Sequence, residues 1–297
     1  MADWKLLTYS DGGTPKAGVA IGDRIHDAAM LLGRGGSLTT LDLLNDWTNA
    51  KAALEKAVAS APAGGGIAFA TAKLHAPVLY PAAYYCAASN FYDHSKEMRP
   101  DRNVTRDGKQ PYFFMKPGVH TTVGPNAVIP VPGVTQKLDW EIEIGAVIGK
   151  PCFNVPVEKA LEYLAGYTIV NDLSARDLGK RPDWHFGADW FGQKVFEGAM
   201  PMGPWIVPVD QIADPQALDM KLWVNDQLMQ DSTSKNMVFN IAEQIEYLSR
   251  RMMLRPGDVI ATGTPSGVGA PRGIFLKSGD KVRMQIEKIG ELNISFA

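Results

Sequence analysis

The alternation of hydrophobic and polar residues predicts a protein built mainly of short β-strands, with few helices. Strand-like runs occupy 4–10, 16–22 and 24–29, and Gly- and Asp-containing turns separate them. Residues 40–60 carry apolar side chains at mixed three- and four-residue spacing, which predicts a helix. The run 280–296 alternates in period two and predicts a hairpin with one buried face.

A linker is expected where the sequence reads Ala-Pro-Ala-Gly-Gly-Gly, at 61–66. We therefore place a small N-terminal α+β domain at 1–70 and a larger, strand-rich domain at 75–297. Two further helices are predicted at 154–166 and 240–254, the second capped by Asn240. The fold class expected from these elements is α+β.

The segment 137–150, KLDWEIEIGAVIGK, places two carboxylates on an otherwise apolar strand. Glu141 and Glu143 share one face because successive side chains of a strand point to opposite sides. The same face continues as Gly145 and Val147, so it is expected to be buried. A short helix then leads to a strand-like run that ends at Asp172.

A divalent cation explains two buried neighbouring carboxylates, because burying them without a counter-charge costs several kcal/mol. Hard cations such as Mg²⁺ and Ca²⁺ select carboxylate oxygens, and Asp172 is the candidate third ligand. Two other interpretations remain open at this point. Glu141 and Glu143 could form the solvated side of an edge strand, and Asp172 could cap a helix that begins at LSARD.

Composition narrows the class of protein. The 297 residues carry a net charge of −2 from 30 basic and 32 acidic side chains, with no dense basic run, which disfavours nucleic acid and anionic membranes as partners. Two cysteines, Cys86 and Cys152, are too few for a disulfide framework and indicate a reducing compartment. With no visible secretory signal, we expect a cytoplasmic enzyme or binding protein.

Three ordered motifs resemble the fumarylacetoacetate hydrolase family: KLDWEIEIGAVIGK, GYTIVNDLSARD and GTPSGVG. The resemblance covers 75–297, and the first 70 residues resemble the small N-terminal domain of many members. It implies a mixed β-roll or sandwich, usually in a homodimer. It also implies that Glu141, Glu143 and Asp172 bind Mg²⁺ or Mn²⁺, with Ca²⁺ a substitute in crystals.

The same resemblance assigns roles to residues outside the carboxylate cluster. In ASNFYDHSKEM, at 88–98, His94 and Glu97 match the family's water-activating dyad. Lys194 matches a lysine that could hold the substrate's carboxylate or stabilise a developing enolate. We expect substrate contacts from Thr264 and Gly263 in the GTPSGVG loop, and from Phe91. Lys116, in FFMKPG, lies in a family motif without an assigned role.

The chain departs from the family pattern at three places. Ser89 stands where a subset of members has arginine, and Gly179 ends ARDLG where many members read ARDLQ. The third is the aromatic stretch at 181–193. It either lines the pocket or packs at a dimer interface.

These residues lead us to expect metal-dependent hydrolysis of a C–C bond in an acylpyruvate, a 2,4-dioxo acid, leaving a pyruvate enolate held at the metal. Within the family, the alternatives are a 2-hydroxydienoate isomerase and an oxaloacetate decarboxylase. An alternative of another class is a binding protein that keeps the fold without the chemistry. A serine or cysteine hydrolase is disfavoured because no GxSxG motif is present.

Overall fold

The computed structural model describes residues 3–62, 64–101 and 104–297, and within them the fold is mainly β-structure with short helices. The strands, in chain order, are β1 (Trp4–Ser10), β2 (Lys16–Ile21), β3 (Arg24–Asp27), β4 (Ile67–Ala68), β5 (Lys73–His75), β6 (Ala83–Ala87), β7 (Phe113–Pro117), β8 (Thr122–Val123), β9 (Val128–Ile129), β10 (Leu138–Asp139), β11 (Ile142–Ile148), β12 (Leu164–Asn171), β13 (Ser174–Ala175), β14 (Lys180–Arg181), β15 (Gly187–Ala188), β16 (Met200–Pro208), β17 (Asp219–Val224), β18 (Gln227–Thr233), β19 (Val259–Ala261), β20 (Lys281–Ile286) and β21 (Gly290–Phe296). The α-helices are α1 (Ala28–Leu31), α2 (Thr40–Asn45), α3 (Trp47–Ala59), α4 (Tyr92–Met98), α5 (Gly118–Thr121), α6 (Trp190–Lys194) and α7 (Ile241–Ser249).

The largest sheet has 12 strands, ten of which follow the order β4-β3-β2-β1-β16-β12-β11-β19-β6-β7. The first three strands form as predicted, and β1 pairs with β16, with Leu6 opposite Ile206. The N-terminal strands therefore continue the main sheet. The predicted domain boundary near residue 70 stays a prediction. In the predicted linker, Gly64 and Gly66 have positive φ, and Ala63 lies outside the described residues.

A second sheet of five strands has the order β18-β17-β20-β21-β9. It contains the predicted C-terminal hairpin, in which Ile286 of β20 pairs with Gly290 of β21. Side chains of both sheets share one core, because Trp140 and Ile144 belong to the same buried cluster as Leu222 and Met284. The expected α+β fold of mixed β-structure is confirmed.

Two of the three predicted helical segments form α-helices. The pattern at 40–60 forms α2 and α3, which Asp46 separates. Asn240 caps α7 by accepting from the Glu243 N–H, although α7 ends at Ser249, earlier than predicted. None of the helices in the described ranges is long and apolar enough to cross a membrane.

The helix predicted at 154–166 forms over a shorter range and as a 3₁₀ helix, Val157–Tyr163, because β12 already begins at Leu164. Gly166, the last residue of the predicted range, lies inside β12. A Cβ there would lie 2.7 Å from the carbonyl carbon of Val207, so glycine is needed for β12 to approach β16 closely.

The antiparallel pairing of β11 with β12 brings the candidate metal ligands together. Ile142 at the start of β11 lies opposite Asn171 at the end of β12. The Asp172 N–H donates to the Glu141 carbonyl at 2.9 Å. Residues 29 and 31 positions apart in sequence therefore meet at one end of the sheet.

Candidate metal centre and active site

Three buried carboxylates form the centre of the candidate site. Glu141, Glu143 and Asp172 each offer one oxygen within 4.8 Å of the other two. Their exposed fractions are 5%, 1% and 1%, so they are not the solvated side of an edge strand. The strand predicted over 137–150 is interrupted at Trp140 and Glu141. Glu141 keeps its position because its N–H donates to Oδ1 of Asn171 at 2.9 Å.

Three cations surround these carboxylates. Lys194 donates to Glu141 at 2.7 Å and to Asp172 at 2.6 Å. The Lys116 Nζ lies 2.5 Å from Oδ1 of Asp172. Arg176 donates to Glu141 at 2.6 Å and to Asp139 at 2.8 Å. The polar groups thus form a connected ionic network at the end of β11 and β12.

The cations of this network compensate the charge of Glu141 but not that of Glu143, as the pKa shifts of the two carboxyl groups indicate. Burial alone would raise the pKa of Glu141, but the charges of Lys194 and Arg176 outweigh burial and hold that pKa well below its usual range. Burial raises the pKa of Glu143 well above its ordinary value, and the neighbouring Asp172 and Glu141 raise it further. In the described residues, the only hydrogen bond to the Glu143 carboxylate comes from the Gly263 N–H at 2.7 Å.

The residues present fit a hard divalent cation. The donor set is carboxylate oxygen, which Mg²⁺ and Mn²⁺ accept readily. Glu143 is a buried carboxyl group that no side-chain cation of the described residues contacts, and its raised pKa means that its charged form lacks a counter-charge. A divalent ion would supply that counter-charge and favour the ionised form of Glu143. The geometry supports the predicted metal ligands, whose role stays a proposal.

The candidate dyad lies on α4 at the edge of the same cavity. The Nδ1 atom of His94 is 3.8 Å from a carboxylate oxygen of Glu97, which is too long for a hydrogen bond. Glu97 accepts from the Gly267 N–H at 2.9 Å, which ties α4 to the GTPSGVG loop. Burial would raise the pKa of Glu97, but the His94 ring and the Gly267 N–H outweigh burial and lower it. Distances of this kind tighten in substrate complexes of many enzymes.

A cavity of about 240 Å³ connects these groups. Its lining includes the three carboxylates, His94, Lys194 and Thr264. Gly263 contributes through its N–H to Glu143. Phe91, predicted to contact substrate, is 0% exposed in the hydrophobic core and is absent from this lining. Its backbone pairs with Met237, so it serves as the anchor from which α4 begins.

The structure adds three residues that sequence reasoning gave no role. Asp139 is fully buried and accepts from the N–H groups of Gly269 and Ala270 as well as from Arg176. Arg176 and Asp139 lie inside the motifs that carry the family resemblance, which was a usable signal. Lys116 also lies in a family motif, but only the tertiary structure shows that it lies beside Asp172.

The aromatic stretch divides into two parts. Trp190 lines the cavity and stacks on Phe114 with ring centroids 4.9 Å apart. Phe186 and Phe191 are 73% and 71% exposed. The stretch therefore contributes to the pocket through α6, and packing against a second subunit stays a prediction for the exposed rings.

Comparison with known proteins gives the class of this chain. Residues 83–297 match the fumarylacetoacetate (FAA) hydrolase C-terminal domain. A Burkholderia multivorans protein, whose name goes no further than hydrolase, is 37% identical over 97% of this chain and 96% of its own length. The chain belongs to the fumarylacetoacetate hydrolase family, as the sequence motifs indicate.

Two solved structures show the range of reactions among similar folds. Maleylpyruvate hydrolase from Sphingobium sp. SYK-6, solved with Mn²⁺ and pyruvate, is 30% identical, with a TM-score of 0.78 over 99% of this chain and 98% of that one. The 5-carboxymethyl-2-hydroxymuconate delta-isomerase from Mycobacterium smegmatis is 28% identical, with a TM-score of 0.73 over 99% of both chains. Both a hydrolase and an isomerase therefore share this fold.

Proposed function

We propose that the protein is a metal-dependent hydrolase that cleaves a C–C bond of an acylpyruvate, a 2,4-dioxo acid. The observation that carries this proposal is that His94 lines the cavity that also contains the three carboxylates, with Glu97 3.8 Å from its Nδ1 atom. Maleylpyruvate hydrolase, whose structure contains Mn²⁺ and pyruvate, is a similar protein of matching reaction class.

Glu141, Glu143 and Asp172 would hold Mg²⁺ or Mn²⁺. Such an ion supplies Lewis acidity toward a carboxylate and an adjacent ketone oxygen, the end shared by all acylpyruvates. Each of the three ligands accepts a hydrogen bond from the chain: Glu143 from the Gly263 N–H, Glu141 from Arg176 and Asp172 from Lys194. Burial of the three carboxylates strengthens each electrostatic interaction.

His94 is the proposed general base, and Glu97 orients its ring and stabilises its positive charge. Water loses a proton to His94 and adds to the 4-carbonyl carbon of the substrate. The C3–C4 bond then breaks, leaving a carboxylic acid from the acyl half and an electron pair on C3 as pyruvate enolate. The proton that His94 took from water is then transferred to C3, which completes pyruvate and returns His94 to its neutral form. Lys194, already buried beside Asp172, offers the positive charge that this enolate needs.

A second candidate is isomerisation of a 2-hydroxydienoate, since an isomerase has the same fold. Oxaloacetate decarboxylation is a third reaction that the same enolate chemistry would serve. Hydrolysis alone among these requires a base positioned to activate water. Wild-type protein and the His94→Ala variant should be assayed with Mn²⁺ on acylpyruvates, 2-hydroxydienoates and oxaloacetate, following pyruvate release and dienoate absorbance.

We expect turnover of an acylpyruvate and its loss in His94→Ala by about 10²–10⁴-fold, the usual contribution of a general base. Lys96→Ala, an exposed change on the same helix, is the matched control. Isomerase or decarboxylase activity that exceeds hydrolysis and survives His94→Ala would contradict the proposal.

A further inference from the structure

Gly179 leaves a space at the edge of the active-site cavity. It follows the 3₁₀ turn Arg176–Leu178 with φ −76° and ψ −11°, a conformation open to any residue. The backbone therefore does not require glycine here. A Cβ at 179 would lie 2.9 Å from Cδ of Gln193 and closer still to its Oε1. The missing side chain thus makes room for the carboxamide of Gln193.

Gln193 lies on α6 directly before Lys194 and is one of the residues that line the cavity. Its backbone N–H donates to the Asp189 carbonyl at 3.2 Å, which fixes the start of the side chain. Within residues 3–62, 64–101 and 104–297, no group contacts its side-chain amide at hydrogen-bond distance. The carboxamide therefore brings an unused donor and an unused acceptor to the cavity.

The charged groups beside Gln193 are already engaged. Lys194 is shared between Glu141 and Asp172, and Arg176 between Asp139 and Glu141. A neutral amide adds a directional hydrogen bond without further charge, which suits a ketone oxygen that carries no net charge. An acylpyruvate differs from a simple 2-oxo acid by one such oxygen, its second carbonyl.

We propose that Gln193, admitted by Gly179, hydrogen-bonds to the second carbonyl of the dioxo acid and selects it over a simple 2-oxo acid. This inference rests on the proposed function, because it assumes a substrate with two carbonyl groups. It makes Gln193 a specificity-determining residue and Gly179 the residue that positions it. The chain thus uses a departure from the family sequence to bring in an amide from α6.

The test measures binding by calorimetry in Mn²⁺-loaded protein carrying His94→Ala, so that the probe stays intact. The two probes are 2,4-dioxopentanoate and pyruvate. We expect 2,4-dioxopentanoate to bind more tightly than pyruvate. Adding Gln193→Met keeps the length of the side chain and removes the amide. It should weaken binding of 2,4-dioxopentanoate about tenfold, the effect of one lost hydrogen bond, and leave the affinity for pyruvate unchanged. Gln227→Met, an exposed change on β18, is the matched control.

The position of Gly179 is tested by a double-mutant cycle on the same binding constant. Gly179→Ala should weaken the binding of 2,4-dioxopentanoate when Gln193 is present. When it is combined with Gln193→Ala, it should cause no further loss of affinity, because that change removes the atoms that the new Cβ would meet. A preference for 2,4-dioxopentanoate that survives Gln193→Met, or additive effects in the cycle, would overturn the inference alone. Equal affinity for both probes in the His94→Ala parent would contradict the proposed substrate class as well.

Discussion

The ammonium of Lys116 lies 2.5 Å from Oδ1 of Asp172, and both side chains are almost completely buried. Lys116 also donates to the carbonyls of Leu173 and Ala199, at 3.0 and 2.8 Å. Burial lowers the pKa of Lys116, although the negative charge of Asp172 opposes that shift. A lysine of no evident role in the sequence is therefore part of the charge balance of the candidate metal centre.

Replacing Lys116 should destabilise the metal-free protein more than the metal-loaded protein. Lys116→Met removes one partner of a buried ion pair, which typically costs about 3–5 kcal/mol in the free energy of unfolding. A divalent ion beside Asp172 supplies positive charge in its place, so saturating Mn²⁺ should reduce that cost. Chemical denaturation with and without Mn²⁺ measures both free energies of unfolding.

The control is Lys221→Met, which breaks an exposed ion pair with Asp231 and should cost less than about 1 kcal/mol in both conditions. An equal cost of Lys116→Met with and without the ion would contradict this account.

Asp93 should hold α4, and with it the dyad, against the rest of the site. Its carboxylate accepts from the His94 N–H at 2.8 Å, from Ser232 at 2.6 Å, from Asn236 at 3.2 Å and from Ser266 at 3.3 Å. Asp93→Ala removes all four bonds, so we expect faster hydrogen exchange across residues 92–98 and a loss of about 10–100-fold in kcat/KM. Mn²⁺ affinity should not change, because Asp93 is not among the ligands.

The Lys96→Ala variant is the control for Asp93→Ala, because Lys96 is an exposed residue of the same helix. Unchanged exchange at 92–98 in Asp93→Ala would show that other contacts hold α4.

Glu97 should make the free energy of unfolding depend on pH in the acidic range. Its pKa in the folded protein is below the ordinary value of 4.5, because His94 and Gly267 favour the charged form more than burial disfavours it. A lowered carboxyl pKa contributes stability that is fully present above about pH 4.5 and is lost as pH falls through the folded value. The unfolding free energy of wild type minus that of Glu97→Gln should therefore be constant near neutrality and shrink below pH 4.5. A difference that grows on acidification would contradict the direction of the shift.

Local patterns predicted much of the fold. The strands β1, β2 and β3, the C-terminal hairpin and the Asn240 cap follow from alternation, turn residues and capping chemistry, which depend on near neighbours in sequence. The helix in 154–166 ends earlier than predicted, because Gly166 lies in β12 and allows a close approach to Val207, a residue 41 positions away. Similarly, the pairing of β1 with β16 is a long-range contact that no local pattern encodes.

The candidate site was predictable to the extent that its residues lie in motifs. Glu141, Glu143 and Asp172 are brought within 4.8 Å, and His94 and Lys194 line the same cavity. Phe91 was expected at the substrate, but an aromatic side chain in a motif does not indicate which way it points, and it packs in the core. The roles of Lys116 and Gln193 depend on which elements lie beside them, and that information is tertiary.

The central claim is that the three buried carboxylates bind one divalent cation. The most direct measurement is a calorimetric titration of Mn²⁺ into metal-free wild type and Glu143→Gln, which keeps the side-chain shape and removes its charge. We expect one tight site per chain in wild type and at least about a hundredfold weaker binding in the variant, since a charged ligand is lost. Equal affinity in the two proteins, or no Mn²⁺ uptake by wild type, would contradict the account.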